Sequence, residues 1–206
     1  MPREPERLKR AAEEPIVDGL PEVPGIGVAM RLTPGLGLHM RGLADELLVN
    51  DYPGATIRRH EREMLATAVS AANDCFYCMD SHAAHARALL EREGVMDLAP
   101  MLDVIREGSS DGLSDKMRAL VQIARTVQAA PLRLTRADVD AATAAGASDG
   151  DVQLAILISA GFSMYNRMVD GLRARTPPSE QVYAERAAEI AEHGYSAPRP
   201  ATENAS

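Results

Sequence analysis

Cys75 and Cys78 are the only thiols of the 206-residue chain, and His82 follows the second of them by one helical turn. Residues three and four apart share a face of an α-helix, so the two sulfurs can close to a disulfide with small adjustment. The His82 imidazole lies next along that face and can take or share the Cys78 proton. Glu63 precedes Cys75 on the preceding helical segment. Antiparallel packing of the two segments brings its carboxylate beside His82, where it raises the imidazole pKa and orients the ring. Thiol redox chemistry is what this set is equipped to do.

Two effects compete over which sulfur carries the negative charge. With the helix starting at Cys75, that thiol sits in the first turn, where free N–H groups and the helix dipole favour an anion by roughly 0.3–1 kcal/mol. Cys78 has the potential base and, once His82 is protonated, an adjacent cation. A close, partly buried ion pair outweighs the dipole. Cys78 therefore reads as the nucleophile and Cys75 as its resolving partner.

A Cys-x-x-Cys pair also occurs as a buried or metal-binding pair. Zinc would take Cys75, Cys78 and His82 and need a fourth ligand from Glu63 or His85, whereas structural zinc usually has four Cys or His ligands. No metal or cofactor is therefore expected. His85 reads as a partly exposed structural histidine, and His39, His60 and His193 as surface or packing residues. Glu61 and Arg62 read as solvated neighbours of Glu63. Asn166 and Arg167 lie in a long apolar helix, where a buried Arg167 demands a partner: an ion pair or a subunit contact is the first reading and substrate binding the second.

The same residues carry a family resemblance. Glu63, Cys75, Cys78 and His82 reproduce the E-x11-C-x-x-C-x3-H signature of the alkyl hydroperoxidase D-like (AhpD-like) branch of the carboxymuconolactone decarboxylase superfamily. Asn73, Tyr77 and Asn166-Arg167 are similar to its peroxidase-related members. The resemblance extends over roughly residues 34 to 175. It implies an AhpD-like helical bundle, self-assembly into trimers or hexamers, and reduction of a hydroperoxide. In that mechanism Cys78 attacks, Cys75 resolves, Glu63 and His82 relay protons, and an external dithiol, a lipoyl or thioredoxin-like protein, restores the pair. The chain departs from the pattern at Tyr77: well-studied members have a histidine there that joins the relay, and a neutral phenol is a poor base.

The elements that must position this set read as helices throughout. Residues 15–37 hold four Pro and five Gly together with Ile16, Val17, Leu20, Val23, Ile26 and Val28, so 1–33 reads as a surface-hugging arm whose apolar residues pack on something, a neighbouring subunit being one candidate. Thr33-Pro34 opens a helix that stops at Asp51-Tyr52-Pro53-Gly54. From Arg58, Met64, Leu65, Ala68, Val69 and Ala72 form one helical stripe, broken by Asn73-Asp74. A helix from Cys75 runs to Gly94. Ser114, Thr135, Ser148 and Ser179 cap later helices, with stops at Pro131 and before Pro177-Pro178. The helical domain spans 34–195, and 196–206 is a polar, disordered tail. A shift of 89 positions aligns Leu65, Ala66, Ser70 and Ala71 with Leu154, Ala155, Ser159 and Ala160. That match suits a degenerate internal repeat or the chance likeness of two Ala-rich helices.

Composition agrees with an all-α fold and narrows the function. Apolar residues make up 46% and charged residues 25%, enough to bury a core, while aromatic residues are only 3%, which disfavours sheet. A net charge of −8 argues against nucleic-acid and anionic-membrane partners. The charged N-terminal stretch lacks the apolar core of a secretory signal, and no apolar run has membrane-spanning length, so a cytoplasmic location is expected. The rival enzyme class is a decarboxylating lyase of the carboxymuconolactone type, which has no use for vicinal thiols. The rival outside enzymology is a non-catalytic redox- or zinc-responsive helical assembly.

Overall fold

The computed structural model describes residues 17–177 and 179–196. The first sixteen residues of the expected arm, Pro178 and the tail from residue 197 lie outside the described residues. Among the described residues there is no strand and there are nine α-helices: α1 (Gly27–Leu32), α2 (Pro34–Leu48), α3 (Arg59–Ala72), α4 (Phe76–Glu93), α5 (Pro100–Arg106), α6 (Asp115–Ala129), α7 (Arg136–Ala144), α8 (Asp149–Gly171) and α9 (Glu180–His193). The expected all-α bundle is the observed one. No helix among them is long and apolar enough to cross a membrane.

The helix starts follow from capping chemistry. Ser114 Oγ accepts from Met117 N, and Thr135 and Ser148 form reciprocal capping boxes with Asp138 and Asp151. Gly94 closes α4 in the left-handed conformation. The last turn of α8 is corrected. It ends at Gly171, six residues short of Pro177, because Arg173 takes a left-handed φ of 47° and turns the chain.

The arm packs on its own chain. Gly25 N donates to Arg175 O at 2.8 Å, and α1 buries Val28, Ala29 and Met30 against α2 and α8. This six-residue helix and α5 lie in stretches that the periodicity does not mark. Pro100 opens α5 at a first-turn position, where its missing N–H costs nothing.

Helix α3 is the central element. It is buried at nearly every position from His60 to Ala71 and packs against α4, α6 and α8. Arg62, expected in solvent, is buried instead: its guanidinium donates to Asn50 O at 2.6 Å and to Ile57 O at 3.3 Å, tying the preceding loop to the helix. His60 is buried and pairs with Glu93 at 3.0 Å, a packing role. The stretch from Leu154 runs through α8 without interruption, whereas its α3 counterpart stops at Ala72 and turns at Asp74 with φ 57°. Asp tolerates that left-handed backbone better than most residues.

Side chains fix this turn. Gln128 Nε2 donates to Asn73 Oδ1 at 2.7 Å, Asn73 Nδ2 to Asn166 Oδ1 at 2.8 Å, and Asn166 Nδ2 to Ser70 Oγ at 3.0 Å. The buried Asn166 thus holds the α3–α4 junction to α8. Arg167 is corrected: it is exposed, and its guanidinium donates to Ser163 O one turn back at 2.7 Å, so the helix needs no buried countercharge.

Candidate active site

The tight turn at Asn73–Cys75 folds α4 back along α3, and this hairpin delivers Glu63 to His82. Glu63 is 1% exposed, and its Oε2 lies 2.6 Å from His82 Nδ1. Burial raises the Glu63 carboxyl, but the His82 charge and hydrogen bond, helped by His85, outweigh it and hold the pKa at about 2. Glu63 is therefore ionised at neutral pH, His82 donates from Nδ1, and Nε2 is the nitrogen left for chemistry. The His82 ring is braced edge-on by Phe162, with centroids 4.5 Å apart.

Both cysteines are free thiols, 3.5 Å apart, and both are buried. A disulfide needs about 2.05 Å, so the pair sits close to bonding distance without being bonded. The start of α4 differs by one residue from expectation: Cys75 is the N-cap, which places Cys78 third in the helix. Cys78 thus lies within the first turn, over its free N–H groups, and Cys75 precedes the helix. Hydrogen bonding to Cys78, then burial, push the Cys75 thiol far up, so Cys75 keeps its proton. Among the described residues no hydrogen bond joins His82 to either thiol, but Cys78 and His82 line one cavity.

That cavity encloses about 400 Å³. The chain has five Tyr and two Phe, and five of these seven rings, Tyr77, Phe162, Tyr165, Tyr183 and Tyr195, line it. A protein this poor in aromatics has concentrated them around one space. Tyr77 packs on Tyr183 and against the arm. Gly25 has φ 57°, and any Cβ there would enter the Tyr77 ring, so the close approach requires glycine. Gly25→Ala is expected to cost about 1–3 kcal/mol and displace Tyr77; urea unfolding and the Tyr77 contacts in a variant structure measure both effects.

Two site residues escape the sequence reading. His85, expected to be partly exposed, is 3% exposed, with Nδ1 3.7 Å from Glu63 Oε2. The cause is the two-turn spacing from Cys78, which keeps it on the buried face of α4. Burial lowers its pKa, although Glu63 works the other way. Tyr195 comes from beyond α9, and its phenol donates to Glu63 Oε1 at 2.7 Å and lies 3.0 Å from His85 Nδ1. Asp45 holds the segment by accepting from Tyr195 N at 2.6 Å and Ser196 N at 2.9 Å. A lone aromatic bordering a polar tail is the single signal that marks Tyr195 in a ring-poor sequence.

One set of metal-capable side chains converges among the described residues: Glu63, His82 and His85, with donor atoms within 4.8 Å of one another. Cys75, Cys78 and His82 do not converge in this way, so the thiol-based zinc arrangement lacks its geometry.

Residues 40–110 match the model of the carboxymuconolactone decarboxylase family. Two solved structures share the fold. A protein from Ralstonia eutropha JMP134, described as an alkylhydroperoxidase AhpD core and an uncharacterized peroxidase-related protein, is 24% identical with a TM-score of 0.66; the match covers 81% of this chain and 82% of that one. An uncharacterized peroxidase-related protein from Silicibacter sp. TM1040 is 22% identical with a TM-score of 0.64, covering 89% and 96%. A search of curated proteins found no match. Over residues 40–110 the chain is thus similar to the carboxymuconolactone decarboxylase family, and it shares the helical fold of the AhpD-core structure.

Proposed function

We propose that the protein is a thiol-dependent hydroperoxide reductase that cycles through a Cys75–Cys78 disulfide. The observation that carries this reading is a pair of free thiols 3.5 Å apart beside a cavity that also holds a histidine paired to a buried carboxylate. The Cys78 thiolate attacks the distal oxygen of the hydroperoxide, and the O–O bond breaks. His82 Nε2, kept aimed by Glu63 on Nδ1–H, takes the Cys78 proton before the attack and hands it to the departing alkoxide. Cys78 becomes a sulfenic acid. The Cys75 sulfur then attacks it, water leaves with the Cys75 proton, and the disulfide forms. An external dithiol, lipoyl or thioredoxin-like, reduces it by exchange. The net change is hydroperoxide plus dithiol to alcohol, water and disulfide.

The aromatic and aliphatic lining suits an organic hydroperoxide. Tyr195 and His85 support the relay through Glu63: the phenol occupies Oε1, so that Oε2 alone serves His82. Tyr195→Phe leaves a buried carboxylate oxygen unpaired. It is expected to cost about 1–3 kcal/mol and to slow peroxide reduction roughly tenfold, read by chemical unfolding and stopped-flow thiol oxidation. The reading includes a homo-oligomer, for which Leu36, Leu38 and Leu43, exposed on α2, supply an apolar surface; sedimentation velocity gives its mass.

The test is a coupled assay with an organic hydroperoxide and a small dithiol, run beside a lactone decarboxylation assay. Peroxide turnover that vanishes in Cys75→Ser/Cys78→Ser supports the reading. Lactone decarboxylation that survives the double change overturns it in favour of a lyase.

A further inference from the structure

A proton relay needs one imidazole per carboxylate, yet Glu63 faces two. His85 is buried, and its outer nitrogen, Nε2, has no hydrogen-bond partner. Its inner nitrogen, Nδ1, faces the Tyr195 oxygen and Glu63, so the polar contacts of the ring all lie on the Glu63 side. Both imidazoles turn the same atom, Nδ1, toward Glu63, and the Tyr195 oxygen closes the group from the other side.

The donor atoms form one compact group, to which Glu63 brings both carboxylate oxygens. Glu63 Oε2 lies 2.6 Å from His82 Nδ1 and 3.7 Å from His85 Nδ1. The Tyr195 oxygen lies 3.5 Å from His82 Nδ1, 3.0 Å from His85 Nδ1 and 2.7 Å from Glu63 Oε1. An ion bound tetrahedrally at about 2.0–2.1 Å has donor–donor edges of about 3.3–3.4 Å. Three of these five distances fall within about 0.4 Å of that value, and the two short ones, one on each Glu63 oxygen, are hydrogen bonds that lengthen when an ion replaces the proton.

We propose that Glu63, His82, His85 and Tyr195 form a binding site for a divalent ion of the zinc type. Two histidines and a glutamate are an established zinc donor set, and the phenol takes the fourth position. His82, His85 and Tyr195 all line the cavity, which supplies the entry path. The Asp45 clamp on the Tyr195 and Ser196 backbone acts as outer support, holding the phenol in place. An ion here occupies the Glu63 oxygen and the His82 nitrogen that the relay uses, so occupancy and hydroperoxide reduction exclude one another. The ion site rests on donor geometry alone and stands whether or not the thiols turn over.

Binding is tested on the full-length Cys75→Ser/Cys78→Ser protein, so that thiolates contribute nothing. Titration with zinc chloride against a chromophoric chelator is expected to give one ion per chain. His85→Gln in that background is expected to weaken binding at least about 100-fold and Tyr195→Phe about tenfold. Cobalt in place of zinc is expected to give the intense visible bands of a tetrahedral site, a readout that needs no His85 variant to fold. Zinc held by the wild type but lost in the double serine variant, affinity unchanged by His85→Gln, or weak octahedral cobalt bands each overturn the proposal.

Discussion

Cys78→Ser is expected to lower hydroperoxide reduction by on the order of 10³-fold or more, whereas Cys75→Ser is expected to keep the first oxidation and stop at a sulfenic acid on Cys78. The asymmetry follows from the start of α4. Cys78 stands third in the helix, over the free first-turn N–H groups, and opens to the cavity. Cys75 is the N-cap, fully buried and absent from the cavity wall, and it keeps its proton. The first faces the space a peroxide would enter, and the second is placed to meet only Cys78. Dimedone labelling followed by mass spectrometry reads the result: adduct on Cys78 in Cys75→Ser and none in Cys78→Ser. Equal labelling of the two variants contradicts the assignment.

Asp151→Ala is expected to cost about 3–5 kcal/mol and to lower Tm by on the order of 10 °C. The Asp151 side chain is fully buried at the start of α8 and accepts from Thr56 N at 2.6 Å, Ile57 N at 2.9 Å and Ser148 N at 3.1 Å. Thr56 Oγ1 at 2.7 Å and Lys116 Nζ at 3.4 Å complete its shell. It thus caps α8 and ties down the loop ahead of α3, the helix that carries Glu63. Burial raises its carboxyl, but the Thr56, Ser148 and Ile57 hydrogen bonds outweigh it and bring the pKa to about 2. A folded pKa below the unfolded value stabilises the protein above the unfolded pKa. That contribution, about 2 kcal/mol, is present at neutral pH and is lost as pH falls from about 4 to 2. Urea midpoints across this range are expected to drop in the wild type. In Asp151→Asn they are expected to start lower and change less.

Much of the fold is legible because its helices announce their ends locally. Ser114, Thr135 and Ser148 cap with their own side chains, and Gly94 stops α4 in the left-handed region. The meeting of Glu63 with His82 is legible too, since a break at Asn73–Asp74 between two helices implies a hairpin whose faces oppose. What escapes is what distant contacts impose. The short α1 survives in a Gly- and Pro-rich arm because Val28, Ala29 and Met30 are buried by α2 and α8. Arg62 is drawn inside by two backbone carbonyls across a loop. Tyr195 reaches Glu63 only because Asp45, 150 positions away in sequence, anchors its backbone. No local period encodes such a contact.

Peptide mass mapping of the wild type before and after one equivalent of an organic hydroperoxide tests the central claim most directly. The account predicts loss of both thiols and a single peptide in which Cys75 and Cys78 are joined, two hydrogens lighter and restored by a dithiol. Two intact thiols after the peroxide has been added, or oxidation confined to methionine, would contradict it.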